Sequence, residues 1–425
     1  MRRKLAIITL SLGSVLVDLD GCTPTRLDAL PIAQNLADTS VSIPQSDVPI
    51  FELPAPNWTP LLPVKESAFT VCCQSRRWGF DEQLWEQNGK TGDKEALLQS
   101  INQSLRYLQT AEAAAAYRRY RVAGITRERA IRSLRRFQQL VIQSRSPAEL
   151  QAAVYREFDI YQSIGRDGFG NVLFTAYFEP IYTASRVPTP EYRYPIYRLP
   201  PDFKSWRRPH PTREQLEGKD GLQADQGKLR GLQLFWFKDR LEPYQIQIQG
   251  SARLQLTDGT QTTVGYAGNT AYNYTSLGRS LIDDKKLPEQ GVTMPIILQY
   301  FQQHPEELDI YIPRDRSFVF FQENHGNPAT GSIHVPLTPE RSIATDKSKM
   351  PPGALALIHA QIPYVNATKQ MEQRIVSRYV LDQDTGGAIR GPGRVDYFLG
   401  SGQIAGDRAG VTVGNGQLYY LFLKR

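Results

Sequence analysis

The spacing of apolar residues changes twice along this chain, and each change marks a different kind of structure. After Met1-Arg2-Arg3-Lys4 comes an apolar run from Leu5 to Val17. A basic start followed by an apolar stretch too short to span a bilayer as a stable helix predicts a secretory signal. From about 81 to 146, Leu97, Leu98, Ile101, Leu105 and Leu108 recur at three- and four-residue steps, and an alanine run follows at 113–116. That period predicts packing helices, with Ser146-Pro147 opening a further one to about Asp159.

From Gly165 onward the pattern shortens to strands. Val172 to Glu179 mixes β-branched and aromatic residues before Pro180, which places Tyr177 and Glu179 on one strand face. Gln245-Ile246-Gln247-Ile248-Gln249 alternates with period two, predicting a strand with three amides on one face, beside a Gly250-Ser251 turn. An Asp258-Gly259 hairpin follows, and Ser276 opens a helix. A helix near Met294 to Phe301 precedes a buried strand at Asp315 to Phe321. Further strands are expected at 354–359 and 376–381, and a closing hairpin around Gly414-Asn415-Gly416.

Composition adjusts this picture in a few places. Thirty-two glycines and 29 prolines among 425 residues favour short strands joined by tight turns. Residues 23 to about 63 carry Pro24, Pro31, Pro44, Pro49, Pro54, Pro56, Pro60 and Pro63, which suits an extended spacer rather than a core. The net charge of +7 is concentrated between Arg118 and Arg136, and is read as a solvated helix face with no nucleic-acid partner implied. His325 and His334 have no nearby cysteine, and Cys72-Cys73 are adjacent, so neither a metal site nor a cofactor is expected. Two thiols, or one bonded elsewhere, is the safer reading of that vicinal pair.

Candidate chemistry gathers near the C-terminus. Asp384-Thr385-Gly386-Gly387 and Arg394-Val395-Asp396-Tyr397-Phe398 set two carboxylates among glycines that turn sharply. A polar amide face at Gln245, Gln247 and Gln249, with tyrosines at 266, 272 and 274, suits hydrogen bonding and stacking with sugars. Asp384-Thr385-Gly386 also matches the triplet of aspartic proteases, but that chemistry needs two such aspartates and the chain has one triplet.

The ordered set Tyr177-Phe178-Glu179-Pro180, Gln247 to Ser251, Val264 to Gly268, Tyr274 to Arg279, Ser317 to Phe321 and Val335 to Thr338 resembles the membrane-bound lytic murein transglycosylase A family. The C-terminal part resembles the 3D domain, whose three aspartates fall here at Asp346, Asp384 and Asp396. Leu19-Asp20-Gly21-Cys22 looks like a lipobox, with Asp20 in place of the usual small residue.

The resemblance implies a mainly β protein with flanking helices: a double-psi β-barrel, a smaller inserted β domain and a groove between them. The boundaries expected are a signal and lipobox at 1–22, a proline-rich spacer at 23–63 and a helical region with the first part of the barrel at 64–185. The glycan-binding insert would follow at 186–311 and the rest of the barrel at 312–425. The implied activity is non-hydrolytic cleavage of the β-1,4 bond between N-acetylmuramic acid and N-acetylglucosamine in peptidoglycan, leaving 1,6-anhydromuramic acid ends.

Asp396 would act as acid and then base, and Asp384 would support it. Tyr177, Glu179, Gln249, Gly250, Ser251, Tyr266 and Tyr274 would bind substrate, Asp346 would be structural and Cys22 would be lipidated. The chain would be an exported, outer-membrane-anchored monomer facing the periplasm, with peptidoglycan strands and cell-wall synthesis proteins as partners. A two-carboxylate glycoside hydrolase and a non-catalytic peptidoglycan-binding envelope protein are the alternatives.

Overall fold

A computed structural model describes residues 59–64, 78–86, 91–366 and 368–425, all within the unit Ser46–Arg425. The signal, Cys22, most of the spacer and Cys72-Cys73 lie outside the described residues. The spacer ends sooner than its prolines suggest. Strand β1 (Leu61–Pro63) is already paired, antiparallel, with β2 (Phe158–Ser163).

Between them lie α1 (Lys94–Leu108), α2 (Ala111–Arg119), α3 (Arg127–Gln143) and α4 (Pro147–Glu157), in agreement with the helical period. Thr110, Thr126 and Ser146 cap the last three, each side-chain oxygen accepting from a first-turn amide. Leu97, Ile101 and Leu108 on α1, with Leu134, Phe137 and Val141 on α3, form the buried stripes.

The chain continues through β3 (Val172–Glu179), β4 (Ile181–Ala184), β5 (Tyr194–Tyr197), α5 (Arg213–Glu217), β6 (Gln233–Phe237), α6 (Leu241–Gln249), β7 (Ser251–Leu256) and β8 (Gln261–Asn269). Helices α7 (Leu277–Asp283), α8 (Met294–Gln303) and α9 (Leu308–Tyr311) precede β9 (Val319–Glu323), β10 (Ser342–Ala344), β11 (Leu355–Val365) and β12 (Met371–Asp384). The last elements are β13 (Arg394–Ser401), α10 (Gln403–Gly410) and β14 (Val413–Leu423).

Two sheets organise these strands. In the order β14-β11-β12-β10-β13-β3, each strand bonds the next and β3 returns to β14, so six strands close a barrel and leave no free edge among them. The mainly β body with a closed barrel and flanking helices is the fold class expected. A second sheet, β4-β7-β8-β9, is built wholly from residues 181–323, with β5 and β6 as a separate pair. Its core is Ile196, Phe235, Ile246, Leu254, Val264 and Phe321.

A fully buried arginine anchors each region. Arg341 donates to Asp81 Oδ2 at 2.6 Å and to Asp93 Oδ1 at 2.5 Å, fastening the segments before α1 to the barrel. Arg213 donates to Gln247 Oε1 at 2.8 Å and to the Ser317 carbonyl at 2.7 Å, with Asp315 3.6 Å away, fastening α5 and α6 to the approach of β9.

Three local expectations are corrected. The amide alternation at 245–249 lies in α6, not a strand: Asp239 Oδ1 accepts from the Leu241 amide at 2.7 Å, and Gly250 ends the helix at φ +81°. The amides therefore do not share a face. Gln247 is buried while Gln245 and Gln249, four residues apart, are partly exposed.

The closing residues form one long strand rather than a hairpin, and α10 precedes it. A Cβ on Gly416 would lie 2.6 Å from the His359 carbonyl oxygen, so this glycine permits the close approach of β14 to β11 instead of a turn. Finally, the strand foreseen from Asp315 begins at Val319, because the Asp315 carboxylate caps the amides of Thr275 and Ser317 and holds a loop there.

Candidate active site

The closed barrel places the two carboxylates in one row across four strands. In β13, Val395 and Tyr397 are fully buried in the main core, so the alternate residues Arg394, Asp396 and Phe398 face outward. The parallel register of β13 with β3 sets Arg394 beside Leu173, Asp396 beside Thr175 and Phe398 beside Tyr177. On the other side of β13, Asp396 is opposite Ala344 of β10, and Ala344 is in turn opposite Asp384 of β12.

Asp384 and Asp396 thus flank one alanine, roughly 10 Å apart between Cα atoms at two strand spacings. A bulge between Ile343 and Ala344 brings Asp384, rather than Gln383, into the row. Gln383 is buried instead and donates to the Ser100 carbonyl and to Ser104 of α1.

The environments of the two aspartates differ. Asp396 Oδ1 accepts a single hydrogen bond, 2.7 Å from Thr175 Oγ1, and among the described residues Oδ2 has no protein donor. Burial pushes the Asp396 carboxyl up from its ordinary value, against the pull of the nearby Arg394 charge and the Thr175 bond. Asp384 is fully engaged: Oδ2 accepts from Tyr177 Oη at 2.7 Å, and Oδ1 from the amides of Ser332 and Thr385, both at 2.8 Å. Burial pushes its carboxyl up too, and these three donors and Lys347 oppose the shift. The upward shift of Asp396 comes from burial, and Asp384 is not among its causes.

Tyr177 packs on Phe398 with ring centroids 5.2 Å apart, and burial beside Asp384 holds its hydroxyl protonated. Asp346 joins two turns, accepting from Ser348 and from the Gly391 amide at 2.7 Å. Burial pushes it up, but these donors outweigh burial and hold its carboxyl below the ordinary range. Tyr397 is buried and donates to the Glu340 carbonyl at 2.6 Å, which puts it beneath the strand that carries Asp396.

The remaining expected site residues separate into two groups. Near the end of β3, Glu179 is almost fully buried rather than open to a ligand: its Oε2 accepts from Arg253 Nε at 2.7 Å and Ser401 Oγ at 2.6 Å. Gln249, at the C-terminus of α6, accepts from the Phe178 amide at 3.1 Å, and Gly250 and Ser251 lead from it into β7. These contacts join the second sheet to the barrel strand that carries Thr175 and Tyr177.

Tyr266 is exposed on β8 and donates to Asn269. Tyr274 lies near Tyr244 and Asp315, where burial pushes its hydroxyl up to about 12. Neither tyrosine bonds a residue of the carboxylate row. Thr175, Ala344 and Arg394 were not foreseen as site residues. For Thr175 and Arg394 a signal existed: each sits two positions before a chosen residue on the same strand.

A family model described as the MltA specific insert domain matches residues 173–322, and that of the 3D domain matches residues 341–422. Membrane-bound lytic murein transglycosylase A of Escherichia coli is 31% identical over 255 residues, 59% of this chain and 66%, just under two thirds, of the relative. The protein of the same name from Vibrio cholerae is 31% identical over 290 residues, covering 67% of this chain and 73% of the relative. The crystal structure of membrane-bound lytic murein transglycosylase from Agrobacterium tumefaciens is 26% identical, with a TM-score of 0.61, and covers 78% of this chain and 93% of that one. With a relative 31% identical and matched over 73% of its length, and with both domain models matched, the chain belongs to the membrane-bound lytic murein transglycosylase A family.

Proposed function

We propose that this chain is a peptidoglycan lytic transglycosylase in which Asp396 is first acid and then base. The observation that carries the reading is the contrast between the two carboxyls. Asp396 is raised by burial, anchored through Oδ1 alone and open at Oδ2, whereas both oxygens of Asp384 already accept from protein donors.

A carboxyl with a raised pKa holds its proton closer to neutral pH and can deliver it to a glycosidic oxygen. As the N-acetylglucosamine leaves, the Asp396 carboxylate takes the proton of the muramic acid C6 hydroxyl. That oxygen then bonds C1 and closes the 1,6-anhydro ring without consuming water. Thr175 fixes which carboxyl oxygen faces the bond. Asp384, bound to Tyr177, Ser332 and Thr385, supports the turn after β12 and lacks a free oxygen for activating water, which disfavours the two-carboxylate hydrolase.

Substrate contacts at Tyr177, Gln249, Gly250, Ser251, Tyr266 and Tyr274 belong to the same proposal. Glu179 is better assigned to holding Arg253. An anchor at Cys22, with the body facing the periplasm from the outer membrane, completes the reading, and metabolic labelling with a fatty acid tests it through loss of label in Cys22→Ala. Digestion of purified murein sacculi followed by mass analysis tests the activity. Ends of 1,6-anhydromuramic acid, one water lighter than reducing ends, are expected, and reducing ends made by the parent protein would refute it.

A further inference from the structure

Beside Asp396 the barrel carries a guanidinium that the proposed mechanism does not use. Arg394 lies on the outward face of β13, two residues before Asp396, and its Nη1 is buried with no hydrogen-bond partner. A buried donor left unbonded costs stability, so its retention calls for a ligand or a role. A second guanidinium stands close by. The loop 165–166 is pressed against the entry to β13 so tightly that a Cβ on Gly393 would meet the Arg166 amide nitrogen at 2.4 Å.

Arg166 is exposed and donates to Asn415 Oδ1 at 2.9 Å, a neutral partner. Among the described residues, neither arginine is ion-paired with a carboxylate. Burial pulls the Arg394 guanidinium below its ordinary value, with Arg166 adding to the shift and Asp396 opposing it. Arg394, two residues along the strand from the reacting carboxyl, and Arg166 on the adjoining loop, neither in an ion pair, form an anion site without its anion.

We propose that Arg394, with Arg166 beside it, is a subsite for a carboxylate carried by the glycan substrate. The inference rests on the glycan-cleaving reading above. Such a carboxylate has two sources in peptidoglycan: the free lactyl group of a muramic acid without peptide, or a carboxylate of the stem peptide. A planar guanidinium pairs with a carboxylate through two parallel N–H donors, which gives orientation as well as attraction. In the proposed mechanism Asp396 enters the reaction protonated and so does not repel this guest.

The test is binding, measured on an Asp396→Asn background so that nothing turns over, with Arg394→Gln, Arg394→Lys and Arg166→Gln added singly. Three probes are compared: peptide-free glycan strands with free lactyl carboxylates, peptide-bearing glycan strands, and uncharged chito-oligosaccharide. Arg394→Gln is expected to weaken a carboxylate-bearing probe by about tenfold or more, as for loss of a charge-assisted hydrogen bond. Arg394→Lys should recover part of that loss, and Arg166→Gln, on an exposed loop, should show a smaller loss of the same kind.

Chito-oligosaccharide binding should not change. A loss confined to peptide-free strands identifies the lactyl carboxylate, and one confined to peptide-bearing strands identifies the stem peptide. Equal weakening of all three probes, or of none, overturns the subsite. Failure of the underlying reading is seen separately, as absence of 1,6-anhydro ends from the parent protein.

Discussion

The outer row of the barrel and the second sheet were both expected to meet the glycan, yet they use their polar side chains in different ways. In the second sheet region and its helices many polar groups close on one another, Gln247 on Arg213, Gln245 on Tyr182, Glu323 on Arg186 and Thr262, while Arg240 and Trp206 keep buried donors unpaired away from any carboxylate row. In the barrel row Asp396 keeps an oxygen open, and Arg394 keeps a buried donor unpaired. A buried polar group is ordinarily satisfied, and what sets the barrel row apart is that its unsatisfied donor lies on the same strand face as the reacting carboxyl. The satisfied groups hold the frame.

The sharpest way to break that contrast is Asp396→Asn. Loss of a general acid and base is expected to lower turnover by about 10²- to 10⁴-fold, while melting and glycan binding persist. Muropeptide release over time and a thermal melt measure both. Parental turnover in this variant would remove Asp396 from the mechanism and erase the difference between the two regions.

The opposite test belongs to the second sheet. Arg213→Ala leaves Asp315 buried without its cation and Glu217 with only the Arg240 charge nearby, and cutting one partner from a buried ion pair costs about 3–5 kcal/mol. Denaturant unfolding should show that loss, with turnover per folded molecule retained. If turnover falls while stability holds, the region acts in catalysis rather than in framing it.

How far these differences were legible in the sequence depends on the kind of signal. Period and capping were legible: β3, the Asp258-Gly259 hairpin, α1 and α4 follow from strand-forming composition, turn chemistry, the apolar period at 97–108 and the Ser146 cap. Period failed at 245–249, where five residues of perfect alternation lie in a helix, because the cap at Asp239 and the left-handed Gly250 lie outside the alternating window. The glycines at 414 and 416 signal a turn and a close approach equally well, and only the neighbour at His359 decides between them.

The aspartates themselves were visible among their glycines. Their placement on either side of Ala344 was not, since it depends on a one-residue bulge at Gln383 of β12, and the Thr175 contact to Asp396 joins residues 221 apart in sequence. The Arg341 anchor was hidden for the same reason, because its partners Asp81 and Asp93 precede it by 260 and 248 residues.

A smaller effect sharpens the contrast inside the barrel row. Tyr177→Phe removes the donor to Asp384 Oδ2 and leaves a buried carboxyl oxygen short of a partner, which costs about 1–3 kcal/mol. Turnover should fall less than in Asp396→Asn, since Asp384 supports the turn and transfers no proton. Comparing kcat with unfolding free energy in this one variant separates the two roles. A loss of kcat as deep as that of Asp396→Asn would make Asp384 a partner in the chemistry.

The smallest effect concerns pH and stability. Burial raises the Asp396 carboxyl above its ordinary value of 3.8. Below 3.8 it is protonated whether the chain is folded or unfolded. Between that value and its raised folded value, the folded chain retains a proton that the unfolded chain has released. Stability therefore falls as pH rises through this window, by about 1.4 kcal/mol for each whole pH step the window spans, and above the window the full cost remains.

Asn at 396 has no proton to lose, and Asp384, also raised, contributes equally to both proteins and cancels. The stability of Asp396→Asn relative to the parent should thus grow with pH across the window and then level off, in urea unfolding at a series of pH values. The Thr175 bond favours the ionised form and so is already contained in the folded value of Asp396, narrowing the window without changing the sign of the slope. A difference that stays flat with pH would mean that Asp396 is solvated like an ordinary surface carboxylate, and the open oxygen would then mark exposure rather than poise.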